Sequence, residues 1–166
     1  MKNNWPTQAE CPSFYGSNRG PSGPSPAWES ANLVAVSLPW AAQASWDAKI
    51  KIRSLRVHKK CSDSLVRILD RIWTEQGKSQ ANIEKLRLHL IGGSYNWRKM
   101  TSSNALSMHS YGCAVDIDPD HNGYGDAHPQ LHPSIIAAFE DESWIWGGHW
   151  SGKSKDGQHF QAARVR

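Results

Sequence analysis

His109, Asp116 and His159 are side chains of the types that bind zinc, and they stand in two short segments of a 166-residue chain. Imidazole nitrogen and carboxylate oxygen are good zinc donors. Three protein ligands with a fourth position left to water mark a catalytic rather than a structural site. Zinc lowers the pKa of its bound water to about 7 and polarises a substrate carbonyl. A base must then take the proton, and Asp156, three residues before His159, is placed to approach that water without ligating the metal. A guanidinium such as that of Arg98 suits the oxyanion formed when hydroxide adds to an amide. On spacing alone, a His and an Asp seven residues apart are a weak signal, because such pairs arise by chance.

These groups need elements to hold them. Cys113, Val115 and Ile117 alternate with Ala114, Asp116 and Asp118, which predicts a strand with both carboxylates on one face. His159 shares a face with Gly157 and Gln161, so an adjacent antiparallel strand would set it opposite Asp116. Leu65, Ile68, Leu69, Ile72 and Trp73 repeat at helical spacing, predicting a helix capped by Ser62 or Asp63 and stopped near Gly77. Strands are expected over residues 49–57, with one bulge, and over Leu86, Leu88 and Leu90, ended by Gly92 and Gly93. A short helix over 133–140 and strands over 144–146 and 158–165 complete the list. The expected fold class is α+β: one domain with a small antiparallel sheet flanked by helices, and the zinc site on the sheet face.

Composition narrows the partners. With 39% hydrophobic and 20% charged residues the chain is expected to fold, and its nine Trp serve a core or line a groove. The net charge of +4 favours anionic partners. No basic run is interleaved with aromatics, so nucleic acid is not an expected partner. The apolar run Leu33 to Leu38 ends at Pro39, far short of the roughly 20 residues that span a bilayer, so no membrane segment is expected. The opening Met-Lys-Asn-Asn-Trp-Pro lacks the apolar stretch of a secretory signal, which points to synthesis in the cytoplasm. Cys11, Cys61 and Cys113 are too few and scattered for a disulfide framework, with a Cys11 to Cys61 bridge after release left open. Residues 1–30 are rich in Pro, Ser and Gly and read as an arm: a linker, or a wrap anchored by Trp5, Tyr15 and Trp28. Residues 31–166 form the catalytic body, expected to act as a monomer.

Ser107-x-His109-x-x-Gly112-x-Ala114-x-Asp116 resembles the metal-binding motif of the VanY-like zinc peptidases, which include D-alanyl-D-alanine carboxypeptidases, L-alanyl-D-glutamate endopeptidases and phage endolysins. Gly93-Ser94-Tyr95-Asn96-Trp97-Arg98 is similar to that family's upstream arginine segment, Asp156-x-x-His159-Phe160 to its C-terminal catalytic segment, and Trp146-Gly147-Gly148-His149-Trp150 to its tryptophan and glycine turn. The resemblance implies one Zn2+ per chain on His109, Asp116 and His159, with Asp156 as general base and Arg98 as substrate and oxyanion binder. Many members carry Glu where Asp156 stands, and the endolysin-like branch resembles this chain in carrying Asp. Ser107, His149, Trp146 and Tyr95 are expected to touch substrate or to hold a metal ligand in place.

The implied substrate is a peptidoglycan stem peptide met at the bacterial wall after release, cut between L-alanine and D-glutamate. Removal of a terminal D-alanine, cleavage of a different amide and wall binding without turnover are the alternatives. Asp118, Asp120 and Asn122 match the start of a calcium loop, but Pro129 stands where such loops close with Glu, so a solvated acidic loop is favoured and Ca2+ is a side reading.

Overall fold

A computed structural model describes residues 3–101 and 103–166. Six strands form one sheet: β1 (Leu33–Ala44), β2 (Asp47–His58), β3 (Leu90–Gly93), β4 (Ala114–Ile117), β5 (Ile145–Trp146) and β6 (His159–Gln161), in the order β2-β1-β3-β4-β6-β5. Every pair is antiparallel except β1 with β3. The α+β class is as expected, with a sheet that is mixed at that one pair.

Helix α3 (Lys59–Glu75) covers the sheet with Leu65, Ile68, Leu69 and Ile72, a buried stripe at helical spacing. Its cap is His58 rather than Ser62 or Asp63. The His58 ring is buried with Nε2 3.1 Å from the Tyr15 carbonyl, which fixes the proton there and leaves Nδ1 to accept from the Lys60 N–H at 3.0 Å. Helix α6 (Pro133–Glu140) begins and ends where the sequence predicts. It adds Phe139, which stacks on Phe160 of β6 with centroids 3.9 Å apart.

Strand bounds depart from the expected ones: those over 144–146 and 158–165 shorten to Ile145–Trp146 and His159–Gln161. The strand expected over Leu86 to Leu90 starts only at Leu90, because helix α4 (Gln80–Lys85) runs into it. The turn between them places Arg87 at φ 59° and returns the Leu88 N–H to the Ile83 carbonyl at 3.0 Å, a helix C-terminal closure that apolar alternation mimics. Gly92 and Gly93 lie inside β3 instead of ending it. Strand β1 takes up the whole apolar run and continues past Pro39 through a break in the ladder between Ser37 and Ala42, where a residue lacking an N–H is tolerated.

Before β1 the chain carries helices α1 (Cys11–Phe14) and α2 (Pro26–Asn32). Trp5, Tyr15 and Trp28 are all buried. Gln8 N–H donates to the Arg164 carbonyl at 2.8 Å, the Tyr15 hydroxyl to that of Ala162 at 2.6 Å, and the Asn18 amide to that of Ser110 at 2.6 Å. Cys11, Cys61 and Cys113 are free, buried thiols, without the Cys11 to Cys61 bridge. Burial pushes the Cys61 thiol up to about 12, which leaves it an inert core group. Among the described residues no helix is long and apolar enough to cross a membrane.

Candidate metal centre

Asp116 of β4 and His159 of β6 are direct partners across the antiparallel ladder, as strand alternation requires. His109 comes from a short 3-10 turn, Met108–Tyr111, just before β4. Ser107 caps this turn, its Oγ accepting the His109 backbone N–H at 3.3 Å. Gly112 ends it at φ 67°, where a Cβ would stand 2.7 Å from Leu33 Cδ2 and 2.8 Å from His58 N, so the turn that carries His109 depends on a glycine there. Ser107 therefore holds the backbone of His109.

The ring is oriented by a backbone carbonyl instead. His109 Nδ1 lies 2.7 Å from Ser94 O, which places its proton on Nδ1 and leaves the Nε2 lone pair facing inward. His159 is held the opposite way round: Nε2 is 3.1 Å from Gln161 Oε1, and the Gln161 amide is fixed in turn by donating to Ala163 O at 2.7 Å. His159 thus turns its Nδ1 lone pair inward. His109 Nε2 and His159 Nδ1 are 3.2 Å apart, and they lie 3.2 and 2.9 Å from the two oxygens of Asp116. Zinc–nitrogen bonds of about 2.0–2.1 Å set ligand nitrogens of a tetrahedral site about 3.3–3.4 Å apart, which these separations approach.

Three acceptors converging with no hydrogen among them call for a cation at their centre. Without one, the cluster is satisfied only by protonating an imidazole. Burial by itself would discharge His159, but the hydrogen bond and charge of Asp116 outweigh it and raise its pKa. Burial likewise opposes ionisation of Asp116, yet His109 and then His159 hold its carboxyl well below the usual carboxylate range. Among the described residues, His109, Asp116 and His159 form the one group of three such side chains with ligand atoms all within 4.8 Å.

Beside this cluster lies a cavity of about 240 Å³. Arg98, Ser107, Asp156 and His159 line it, as do Tyr124, Trp150, Gln161 and Gln8. Trp150 is tilted against His159, with ring centroids 5.5 Å apart. Asp156 is partly buried, and burial, more than any neighbouring charge, raises its pKa. Gln158 Nε2 donates to its Oδ1 at 3.1 Å. The Asp156 backbone is seated on Gly147, where a Cβ would be 2.4 Å from the Asp156 carbonyl oxygen; the glycine of the tryptophan turn is thus a condition for placing that carboxylate. The Arg98 side chain is exposed in the cavity wall, while its backbone is pinned by Ser110, whose Oγ accepts from Arg98 N at 2.9 Å and donates to Arg98 O at 2.7 Å.

The other expected site residues stand apart. His149 turns outward to Glu140 at 2.8 Å with 64% of its side chain exposed. Trp146 is buried, donating to Gly157 O at 2.7 Å. Tyr95 packs against Trp28 and Arg56 outside the cavity. Sequence reasoning did not assign Ser94, Gln161, Ser110 and Gln8; only Gln161 left a signal, as the next residue on the face of His159.

The calcium reading gains no support. Asp118 turns off the strand at φ 50°, so it does not share the face of Asp116. Its Oδ2 accepts from Arg87 Nε at 2.7 Å and Asn122 Nδ2 at 3.0 Å, its Oδ1 pairs with His121 at 2.8 Å, and Asn122 Oδ1 accepts from Gln130 N at 2.7 Å. A cation there would have to displace these partners.

Residues 101–162 match the family model described as D-alanyl-D-alanine carboxypeptidase, a segment that contains all three residues of the cluster together with Asp156. No curated protein and no solved structure matches the chain.

Proposed function

We propose that the protein is a zinc-dependent peptidase of peptidoglycan stem peptides that cleaves between L-alanine and D-glutamate. The observation that carries the metal reading is the convergence of two imidazole lone pairs and a carboxylate whose outer hydrogen bonds are already satisfied. When bound, zinc supplies an acidified water and a Lewis acid for the scissile carbonyl. The chain's own groups supply the rest. Asp156, whose pKa burial raises, accepts the proton of the attacking water and returns it to the leaving amine. Arg98 stabilises the oxyanion as it forms. Trp150, Met100 and Val165 in the cavity wall give the peptide an apolar surface.

The choice of bond rests on the cations. Among the described residues Arg98 is the one Lys or Arg lining the cavity, and with its guanidinium on the developing oxyanion no further cation is left there for a substrate's terminal carboxylate. This supports an endopeptidase. The second reading, release of terminal D-alanine, is favoured by the description of the matched family. Digestion of a wall tetrapeptide and pentapeptide side by side, read by mass spectrometry, separates them. Scission between L-alanine and D-glutamate in both supports the proposal; free D-alanine from the pentapeptide alone overturns the preference; no scission of either overturns the peptidase reading on this substrate.

A further inference from the structure

We propose that Glu29 and Gln8, both in the segment preceding β1, are positioning residues for the metal centre, each acting through the outer hydrogen bond of one histidine. This rests on the zinc reading above. The carbonyl that orients His109 belongs to Ser94, in an irregular stretch just past β3. Two hydrogen bonds hold that stretch to Arg56: Tyr95 N–H to Arg56 O at 2.9 Å, and Arg56 N–H to the Ser94 side-chain Oγ at 3.2 Å. The next residue's side chain is gripped from the N-terminal segment. The Tyr95 hydroxyl donates to Glu29 on α2, and its ring lies 6.4 Å from that of Trp28. Burial, aided by Glu29, raises the Tyr95 pKa, so the phenol stays a donor.

On the other side Gln161 Oε1, which receives the His159 Nε2 proton, also receives Gln8 Nε2 at 3.5 Å, and Gln8 is tied by its backbone to Arg164. The same N-terminal segment therefore reaches Gln161, the outer partner of His159, and Tyr95, the residue after the outer partner of His109, from opposite ends. Outer partners of ligand histidines typically govern 10–100-fold in metal affinity. Gln8 acts one step further out, through a long bond to Gln161, and Glu29 acts through Tyr95 beside Ser94, so effects at or below the lower end of that range apply.

The test is zinc affinity by chelator competition, alongside the melting temperature of the chelated protein, for the full chain and for Glu29→Ala, Glu29→Gln and Gln8→Ala. Glu29→Ala is expected to weaken zinc about tenfold and Gln8→Ala about threefold, with the metal-free melting temperature close to wild type. Glu29→Gln keeps an oxygen that accepts from Tyr95 and is expected to retain wild-type affinity. Affinity within twofold of wild type in both alanine variants, whatever happens to the melting temperature, overturns the assignment. So does equal loss in Glu29→Ala and Glu29→Gln. A wild-type chain that takes up no zinc overturns the proposed function and this assignment with it, whereas wild-type zinc binding with unaffected variants overturns this assignment alone.

Discussion

Asp116 and Asp118 stand two residues apart at the end of β4, and both are largely withdrawn from solvent, yet their surroundings are of opposite kind. Asp118 meets donors: the Arg87 guanidinium, the Asn122 amide and the His121 ring. Its charge is neutralised and its oxygens are occupied, so it joins the α4–β3 turn to the chain after β4. Asp116 meets two imidazoles whose protons are drawn outward to Ser94 and Gln161. What separates a structural carboxylate from a proposed metal ligand here is whether its neighbours bring hydrogens or lone pairs, and the outer partners of those neighbours decide that.

Substitutions that remove a ligand should break the comparison most sharply. His109→Ala or His159→Ala is expected to lose metal and peptide cleavage together, checked by metal analysis and wall-peptide digestion; retention of stoichiometric zinc by either would remove that residue from the site. Asp156→Ala should keep the metal and lower turnover by about 10²–10⁴-fold, the usual contribution of a general base. Loss of zinc in that variant would make Asp156 a ligand.

Asp118→Ala should do the reverse of His109→Ala. Leaving Arg87 without its partner is expected to cost about 3 kcal/mol, at the low end for a broken buried pair because Arg87 is partly exposed, while zinc affinity stays within about threefold. Denaturant unfolding of the metal-free protein measures the first, and chelator competition the second.

The smallest effect concerns pH in the metal-free protein. Hydrogen bonds from Arg67, with help from Ser64 and Asn3, hold the Glu142 carboxyl at about 2 against an ordinary 4.5. Its contribution is full above about 4.5 and is lost as pH falls through about 2. Burial lowers His58 from 6.5 to about 4, so stability is full above 6.5 and declines toward 4 as the unfolded chain takes up the proton first. Melting temperature should thus fall with acid in two stages. Glu142→Gln should flatten the lower one, worth about 1–2 kcal/mol after allowance for the exposed Arg67, or roughly 2–8 °C. An unchanged acid limb would show that the ion pair contributes nothing.

The gathering of His109, Asp116 and His159 and the pairing of Asp116 with His159 were legible because both follow from side-chain chemistry and strand alternation. Ser94 was not, since a backbone carbonyl acts regardless of residue type. Asp118 escaped because alternation assumes an extended backbone, and its left-handed φ turns it away. Leu86 and Leu88 mimicked a strand while closing a helix. His149 and Trp146 were expected at the site from the motif around them, but the turn's contribution to the cavity is Trp150, with Gly147 seating Asp156.

The inward lone pairs of His109 and His159, with Asp116, are proposed to hold one zinc. Crystals of protein purified without chelators, measured on either side of the zinc absorption edge, test it directly. One anomalous peak per chain is expected, bonded to His109 Nε2, His159 Nδ1 and an oxygen of Asp116 at about 2.0–2.2 Å. A stoichiometric zinc elsewhere, or one bound with either histidine turned away, would contradict it.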